Sequence, residues 1–214
     1  MMTANTRLAA FNRMLIVCFL ALFAAACSAK ENLPAVRDGD LIFQTSRSSQ
    51  SVAIQRATGS PYSHMGLIFF RGGKPYVFEA ISTVRFTALD QWIARGAGGH
   101  FVVKRLRSAS KDLNPAGVEK LRAAARRLEG RPYDLAFDWS DDRIYCSELV
   151  WKAYDRALGI QIGAVQRIRD FNLSDPAVSA KMRERYGSKV PLNEPVISPV
   201  SMFRSDLLVT VAER

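Results

Sequence analysis

The sequence predicts an α+β protein, an antiparallel sheet with helices packed against it. Three observations carry that expectation. Short β-rich runs crowd the stretch from residue 38 to 107, two long amphipathic patterns follow at 114–130 and 146–159, and two of the β-rich runs flank Gly72-Gly73 at hairpin spacing. Strands grouped first and helices after them is the α+β order. The chain has 214 residues, 48% hydrophobic and 23% charged, which describes a globular body long enough for one domain with a real core.

Taken in order, "DGDLIFQ" (38–44) opens on turn residues and runs into a short apolar strand. "SSQSVAIQRATG" (48–59) has serines suited to helix capping and ends in Gly, so a short helix is expected. "SHMGLIFFR" (63–71) and "KPYVFEAI" (74–81) form the hairpin, and "VRFTAL" (84–89) adds a strand. "DQWIARG" reads as a helical turn and "HFVVKRLR" (100–107) as another strand. In "NPAGVEKLRAAARRLEG", Asn114 is the N-cap, Pro115 opens the helix and Gly130 lies past its end. Val118, Leu121, Ala125 and Leu128 share its buried face. "CSELVWKAYDRALG" (146–159) buries Leu149, Val150, Ala153 and Leu158. Residues 160–190 are helical and irregular, broken at Pro176, with Pro191 and Pro195 beyond, and "LLVTVAE" (207–213) closes with a strand.

The N-terminus reads differently. Arg7 and Arg13 precede an uncharged run, "MLIVCFLALFAAA" (14–26), too short to span a bilayer, which needs ~20 residues. It fits a secretory signal over 1–26, followed by a tether over 27–36 and a folded domain over 37–214. Cys27 follows the small residues, as in the bacterial lipoprotein signal it resembles, where that cysteine is lipidated; cleavage near Ala26 or Ala29 without lipidation is the alternative. Either way the chain is expected to be exported to the periplasm or cell envelope. The +10 formal charge, two units of it in the leader, suits anionic envelope polymers or lipid head groups, though most of it reads as solvated helix faces. No aromatic-interleaved basic stretch points to nucleic acid.

With Cys18 in the signal and Cys27 at the tether, Cys146 is the one cysteine of the folded body, and a disulfide within the domain has no partner. Two readings stand: a buried small hydrophobe, or a nucleophile. Cys146 starts an amphipathic helix, where unpaired N–H groups favour a thiolate. Of the two histidines, His64 begins the first hairpin strand, and His100, after "RGAGG", reads as structural or exposed. Pairing across Gly72-Gly73 puts Glu79 opposite position 66, a diagonal neighbour of His64 on the same face. Glu79 is the lone acid in an apolar strand, so it either orients His64 or points to solvent from an edge. No metal-ligand spacing, phosphate loop or nucleotide motif appears, so no metal or cofactor is expected.

"LRAAARRLEGRPYDLAFDWSDDRIYCSELVWKAY" and "SHMGLIF" resemble the Cys helix and His-x-Gly strand of NlpC-type cell-wall cysteine peptidases. In those enzymes Cys precedes His; here His64 comes first, the mark of the circularly permuted papain-like group. Within it, "GDLIFQTSRSSQSVAIQRATGSPYSHMG", "KPYVFEA", "QWIA", "GRPYD", "WSDDRIYCSELVWK" and "ERYG" resemble the YiiX/YaeF-type hydrolases, from about residue 37 to the C-terminus. The resemblance implies a permuted papain-like fold with Cys146 as nucleophile, His64 as base and Glu79 as its orienting partner. It implies amide hydrolysis through a thioester, with a cell-wall peptide as the leading substrate class. A lipid acyltransferase or phospholipase, or a non-catalytic envelope-binding lipoprotein, are the rivals. A wide apolar groove beside Cys146 favours lipid and a narrow polar one with carboxylates favours peptide. The Cys146 N–H and a second donor, Tyr62 ahead of Tyr145, are expected to form the oxyanion hole. Ser147 is expected to cap the helix or face the groove floor, and Glu148, Asp141 and Asp142 are cleft carboxylates or solvated acids.

Overall fold

The structure, a computed structural model, describes residues 35–214. The expected signal, Cys18, Cys27 and most of the tether lie outside the described residues.

Six strands form one antiparallel sheet: β1 (Leu41–Gln44), β2 (His64–Arg71), β3 (Lys74–Ala80), β4 (Val84–Ala88), β5 (Val102–Leu106) and β8 (Leu208–Glu213). Their spatial order is β4-β3-β2-β1-β5-β8, so the C-terminal strand closes the edge beside β5. A two-stranded pair, β6 (Gln166–Arg167) with β7 (Pro195–Val196), lies apart from it. The helices are α1 (Ser51–Thr58), α2 (Leu89–Arg95), α3 (Ala109–Asp112), α4 (Pro115–Arg126), α5 (Cys146–Leu158), α6 (Pro176–Tyr186) and α7 (Pro199–Phe203).

Alternation along the strands builds two cores. Leu41, Phe43, Met65 and Leu67 meet Leu121 and Ala125 of α4 and Leu149, Val150 and Ala153 of α5 on one face. Ile42, Ile68, Val77 and Val103 meet Leu89, Trp92 and Ile93 of α2 on the other. Truncating a fully buried side chain such as Leu149 to Ala would cost about 2–5 kcal/mol.

The hairpin has the expected register, Leu67 opposite Phe78 and Arg71 opposite Lys74. Gly72 and Gly73 turn it with φ of 56° and 75°, the left-handed conformation a two-residue turn requires. Asn114 caps α4 by accepting from the Gly117 N–H, and Gly159 ends α5 with φ of 66°.

Several local expectations change. "DQWIARG" belongs to a helix of seven residues that begins at Leu89, because Trp92 and Ile93 bury against the sheet. Helix α4 stops at Arg126, ahead of Gly130. Pro176 opens α6 instead of breaking a helix: Asp175 accepts from the Ala177 N–H, and proline is favoured at the first helical position. No serine caps α1; Gln50 holds that position, and Ser51 Oγ bonds the Ser63 hydroxyl at 2.6 Å.

Candidate active site

Cys146 is the first residue of α5, a free thiol only 3% exposed at the end of a 13-residue helix. The first-turn N–H groups there have no intrahelical partner and concentrate partial positive charge around the sulfur. Tyr145 holds the N-cap position, and its own N–H donates to Glu148 at 3.3 Å.

His64 is the first residue of β2, at the strand end where both faces of the sheet are within reach. Its Nε2 donates to Glu79 Oε2 at 2.6 Å, which leaves Nδ1 for Cys146. Gly66 makes the pairing possible. A Cβ there would stand 2.5 Å from Val77 Cγ1 and 3.3 Å from Glu79 Cβ, so any side chain would block the carboxylate's path over the strand.

Glu79 is fully buried, the opposite of an edge acid facing solvent. Thr87 Oγ1 donates to it at 2.5 Å, Trp92 Nε1 at 2.9 Å, and Arg95 Nη2 reaches both carboxylate oxygens. Burial alone would raise its pKa, but the His64 bond and charge, with Arg95 and Thr87, outweigh it and lower the value to about 2. Trp92 also stacks on the His64 ring with centroids 5.9 Å apart, setting its tilt. For His64, burial opposes protonation, but hydrogen bonds and charge from Cys146 and Glu79 prevail and raise its pKa to about 9. The imidazole is thus held between a fixed carboxylate and the sulfur, where its cationic form is favoured once the sulfur has given up its proton.

Of the other sequence candidates, Tyr145 and Ser147 line the cavity beside Cys146, and Tyr62, Glu148, Asp141 and Asp142 do not. Tyr62 stacks on Phe203 at 4.2 Å and lies against Phe43 and His100, outside both cavities that border Cys146 and His64. Tyr145 is 1% exposed, and its hydroxyl accepts from the Ile197 N–H at 3.1 Å. Ser147 donates to the Ile197 carbonyl at 2.7 Å, so it ties α5 to the residue after β7. Glu148 is fully buried and paired with Lys152 at 2.7 Å; burial outweighs that pairing and pushes its pKa up to about 8. Asp141, held low by Arg156 despite partial burial and further by Lys152, and exposed Asp142 line neither cavity.

Tyr133 is the residue the sequence reading passed over, although "GRPYD" had been singled out. It lines both cavities and accepts a hydrogen bond from Gln50 Nε2 at 3.0 Å. Burial pushes its phenol pKa well up, and negative charge on Cys146 raises it further, which places the two groups in electrostatic contact. The available signal was a tyrosine on a Gly-x-Pro turn shortly before the cysteine helix.

The cavity beside Cys146 is open to solvent and has a volume of about 70 Å³. Ile54, Phe137, Ile168, Phe171, Val178 and Met182 make most of its wall, no carboxylate lines it, and Lys181 and Arg185 are its charged residues. The cavity beside His64 is mixed, more polar than the first, with Ser46, Ser48, Ser49, Ser63 and Arg95 facing Ile54, Ala80, Ile81 and Leu135.

A thiol at a helix N-terminus, a histidine on a strand and an acid behind it define a papain-like cysteine site with its order in the chain permuted. The chain belongs to the permuted papain-like amidase family described as YaeF/YiiX, C92, whose model matches residues 35–212. It is 51% identical over 175 residues to the uncharacterized protein YiiX of Escherichia coli K12, covering 82% of this chain and 85% of that protein. It superposes with a TM-score of 0.80 on a crystal structure of YiiX from Escherichia coli O157:H7, 51% identical, covering 83% of this chain and 97% of that one. That structure's description calls YiiX a metalloprotein. Among the described residues of this chain no three His, Cys, Asp or Glu side chains are arranged to hold a metal, and both Glu79 oxygens are already engaged, so the residues do not fit one.

Proposed function

We propose that the protein is a cysteine amidase with Cys146 as nucleophile, His64 as general base and acid, and Glu79 as the group that fixes and charges His64. The observation that carries this reading is the buried Glu79–His64 bond ending at a cysteine on a helix N-terminus. His64 Nδ1 takes the thiol proton, the sulfur bonds to the amide carbon, and the carbonyl electron pair moves to oxygen. The Cys146 N–H and the Tyr133 hydroxyl receive that oxyanion. Collapse breaks the C–N bond, and the leaving amine takes the proton from His64. Water, deprotonated by His64, then attacks the thioester and releases acid and thiol.

The apolar cavity beside Cys146 favours an apolar acyl group on the thioester side, and the more polar cavity beside His64 suits the leaving amine. This moves the substrate away from the cell-wall peptide favoured by the sequence, toward an acyl amide of the cell envelope. The export signal and a lipid on Cys27 would place the enzyme there.

The test is mass spectrometry of envelope lipids, muropeptides and a series of N-acyl amides after incubation with wild type and Cys146→Ala. Release of amine from long acyl amides by wild type alone is expected. Release from muropeptides alone would return the substrate to peptide, and activity retained in Cys146→Ala would overturn the nucleophile. The rate should fall as pH rises through about 9, where His64 loses the proton it must hand to the leaving group.

A further inference from the structure

Tyr133 is useful as an oxyanion donor only if its proton points into the cleft. A phenol hydroxyl lies near the plane of its ring in one of two directions, and nothing in its own geometry chooses between them. The structure supplies the missing constraint from a distant part of the chain. Gln50 Nε2 donates to the Tyr133 oxygen at 3.0 Å, and Arg185 Nη2 donates to Gln50 Oε1 at 2.6 Å. Three residues separated by 83 and 135 positions along the sequence form one chain of hydrogen bonds.

Its polarity follows from the residue types. Arginine has five N–H donors and no acceptor, so the end of the Gln50 amide that meets Arg185 must be the oxygen. The amide's NH₂ end therefore faces Tyr133, and the phenol oxygen is the acceptor. Its one proton is left to point away from Gln50, and Tyr133 lines the cavity that also holds Cys146. Turning the amide over would press NH₂ against the guanidinium. Gln50 is buried, which raises the cost of that mismatch.

Arg185 is itself held in place. It lies over the Phe137 ring, 5.1 Å from the centroid, and the next residue, Tyr186, donates to the Ala136 carbonyl. The end of α6 is thus fastened to the 136–137 segment a few residues beyond Tyr133.

We propose that Arg185, acting through Gln50, is a positioning residue that sets the direction of the Tyr133 hydroxyl and keeps its proton free for the reacting carbonyl. The proposal rests on Tyr133 serving as oxyanion donor, as argued above.

Gln50→Glu is the decisive variant. It keeps the size and shape of the side chain and gives Arg185 a carboxylate to pair with, so the fold is retained. It also replaces the donor facing Tyr133 by an acceptor, which captures the phenol proton. The expected result is a kcat loss of about 10²-fold, the scale of one oxyanion donor, with KM nearly unchanged. Tyr133→Phe should lose as much, and adding Gln50→Glu to it should change the rate by less than about threefold, because coupled residues are not additive. Arg185→Met, which frees the amide to turn over, should lose part of the rate, and Arg185→Lys, again a pure donor, should recover most of it.

The Raman Fermi doublet of Tyr133, isolated by difference against Tyr133→Phe, reads the same chain without substrate. It should move toward the strong-donor limit in Gln50→Glu. An unchanged doublet overturns the proposal. So does full kcat in Gln50→Glu, or an equal further loss in the Tyr133→Phe background. If the wild type cleaves no amide at all, the amidase reading fails while the doublet still decides the direction of the hydroxyl.

Discussion

Glu79 and Glu148 are both fully buried, and both stand one step from the Cys146–His64 pair. Their surroundings push them in opposite directions. Glu79, on the α2 side of the sheet, receives bonds from His64, Trp92, Thr87 and Arg95, and its pKa falls to about 2. Glu148, inside the first turn of α5, has Lys152 and one long backbone bond, and its pKa rises to about 8. Burial acts alike on both, so the number of donors decides the charge. The placement suits a thiol site. The charged carboxylate stands behind the imidazole, where it stabilises the cation. The protonated one sits behind the cysteine, where a negative charge would oppose the thiolate.

Breaking the charged side should have the largest effect. Glu79→Gln removes the charge that supports the imidazolium, so kcat should fall about 10³–10⁴-fold, as when the acid of a Ser-His-Asp triad becomes an amide. The NMR titration of His64 should move down from about 9 in the same variant. Next comes Gly66→Ala, whose methyl group would overlap Val77 and crowd Glu79. Overpacking of this kind costs about 1–3 kcal/mol, read from the urea midpoint, and should part His64 from Glu79, so activity falls with stability.

The two carboxylates should also give stability opposite dependences on pH. Glu79 has a folded value below its unfolded one near 4.5, so its contribution is present above that pH and is lost as pH falls toward about 2. Glu148 has a folded value above its unfolded one, so its contribution is present below about 4.5 and is lost as pH rises through about 8. Glu148→Gln should therefore flatten Tm against pH between those limits and leave the acid limb in place. The smallest effect belongs to Tyr62→Phe, which keeps the ring stacked on Phe203 and should leave kcat unchanged, in contrast to Tyr133→Phe.

What was legible in the sequence was local. The hairpin arithmetic across Gly72-Gly73 put Glu79 beside His64, and the capping pattern put Cys146 at a helix start, because both depend on a few consecutive residues. What escaped depends on packing between distant segments. Trp92 and Arg95 reach Glu79 only because α2 folds onto the sheet, and Thr87 only because β4 pairs with β3, and periodicity shows no trace of either. Tyr133 meets Gln50 and Arg185 through α6, in a stretch whose proline looked like a breaker. The apolar cavity is shared by α1, α6 and the 168–173 segment, so no single run of residues announces it.

The register of the hairpin also sets a rule of parity for the whole lineage of such proteins. His64 and Glu79 meet because both lie on one side of a pleated ribbon whose faces alternate residue by residue. Losing or gaining one residue within β3, between its paired stretch and Glu79, would turn Glu79 toward the α5 core, among Phe69 and Phe86, with no donor to receive its charge. Losing or gaining two would keep the face and change only the reach. Relatives that retain the charged pair should therefore differ within the strands by even numbers of residues, whatever the length of the turn, and an odd change in a strand should be accompanied by a bulge or by the loss of the acid.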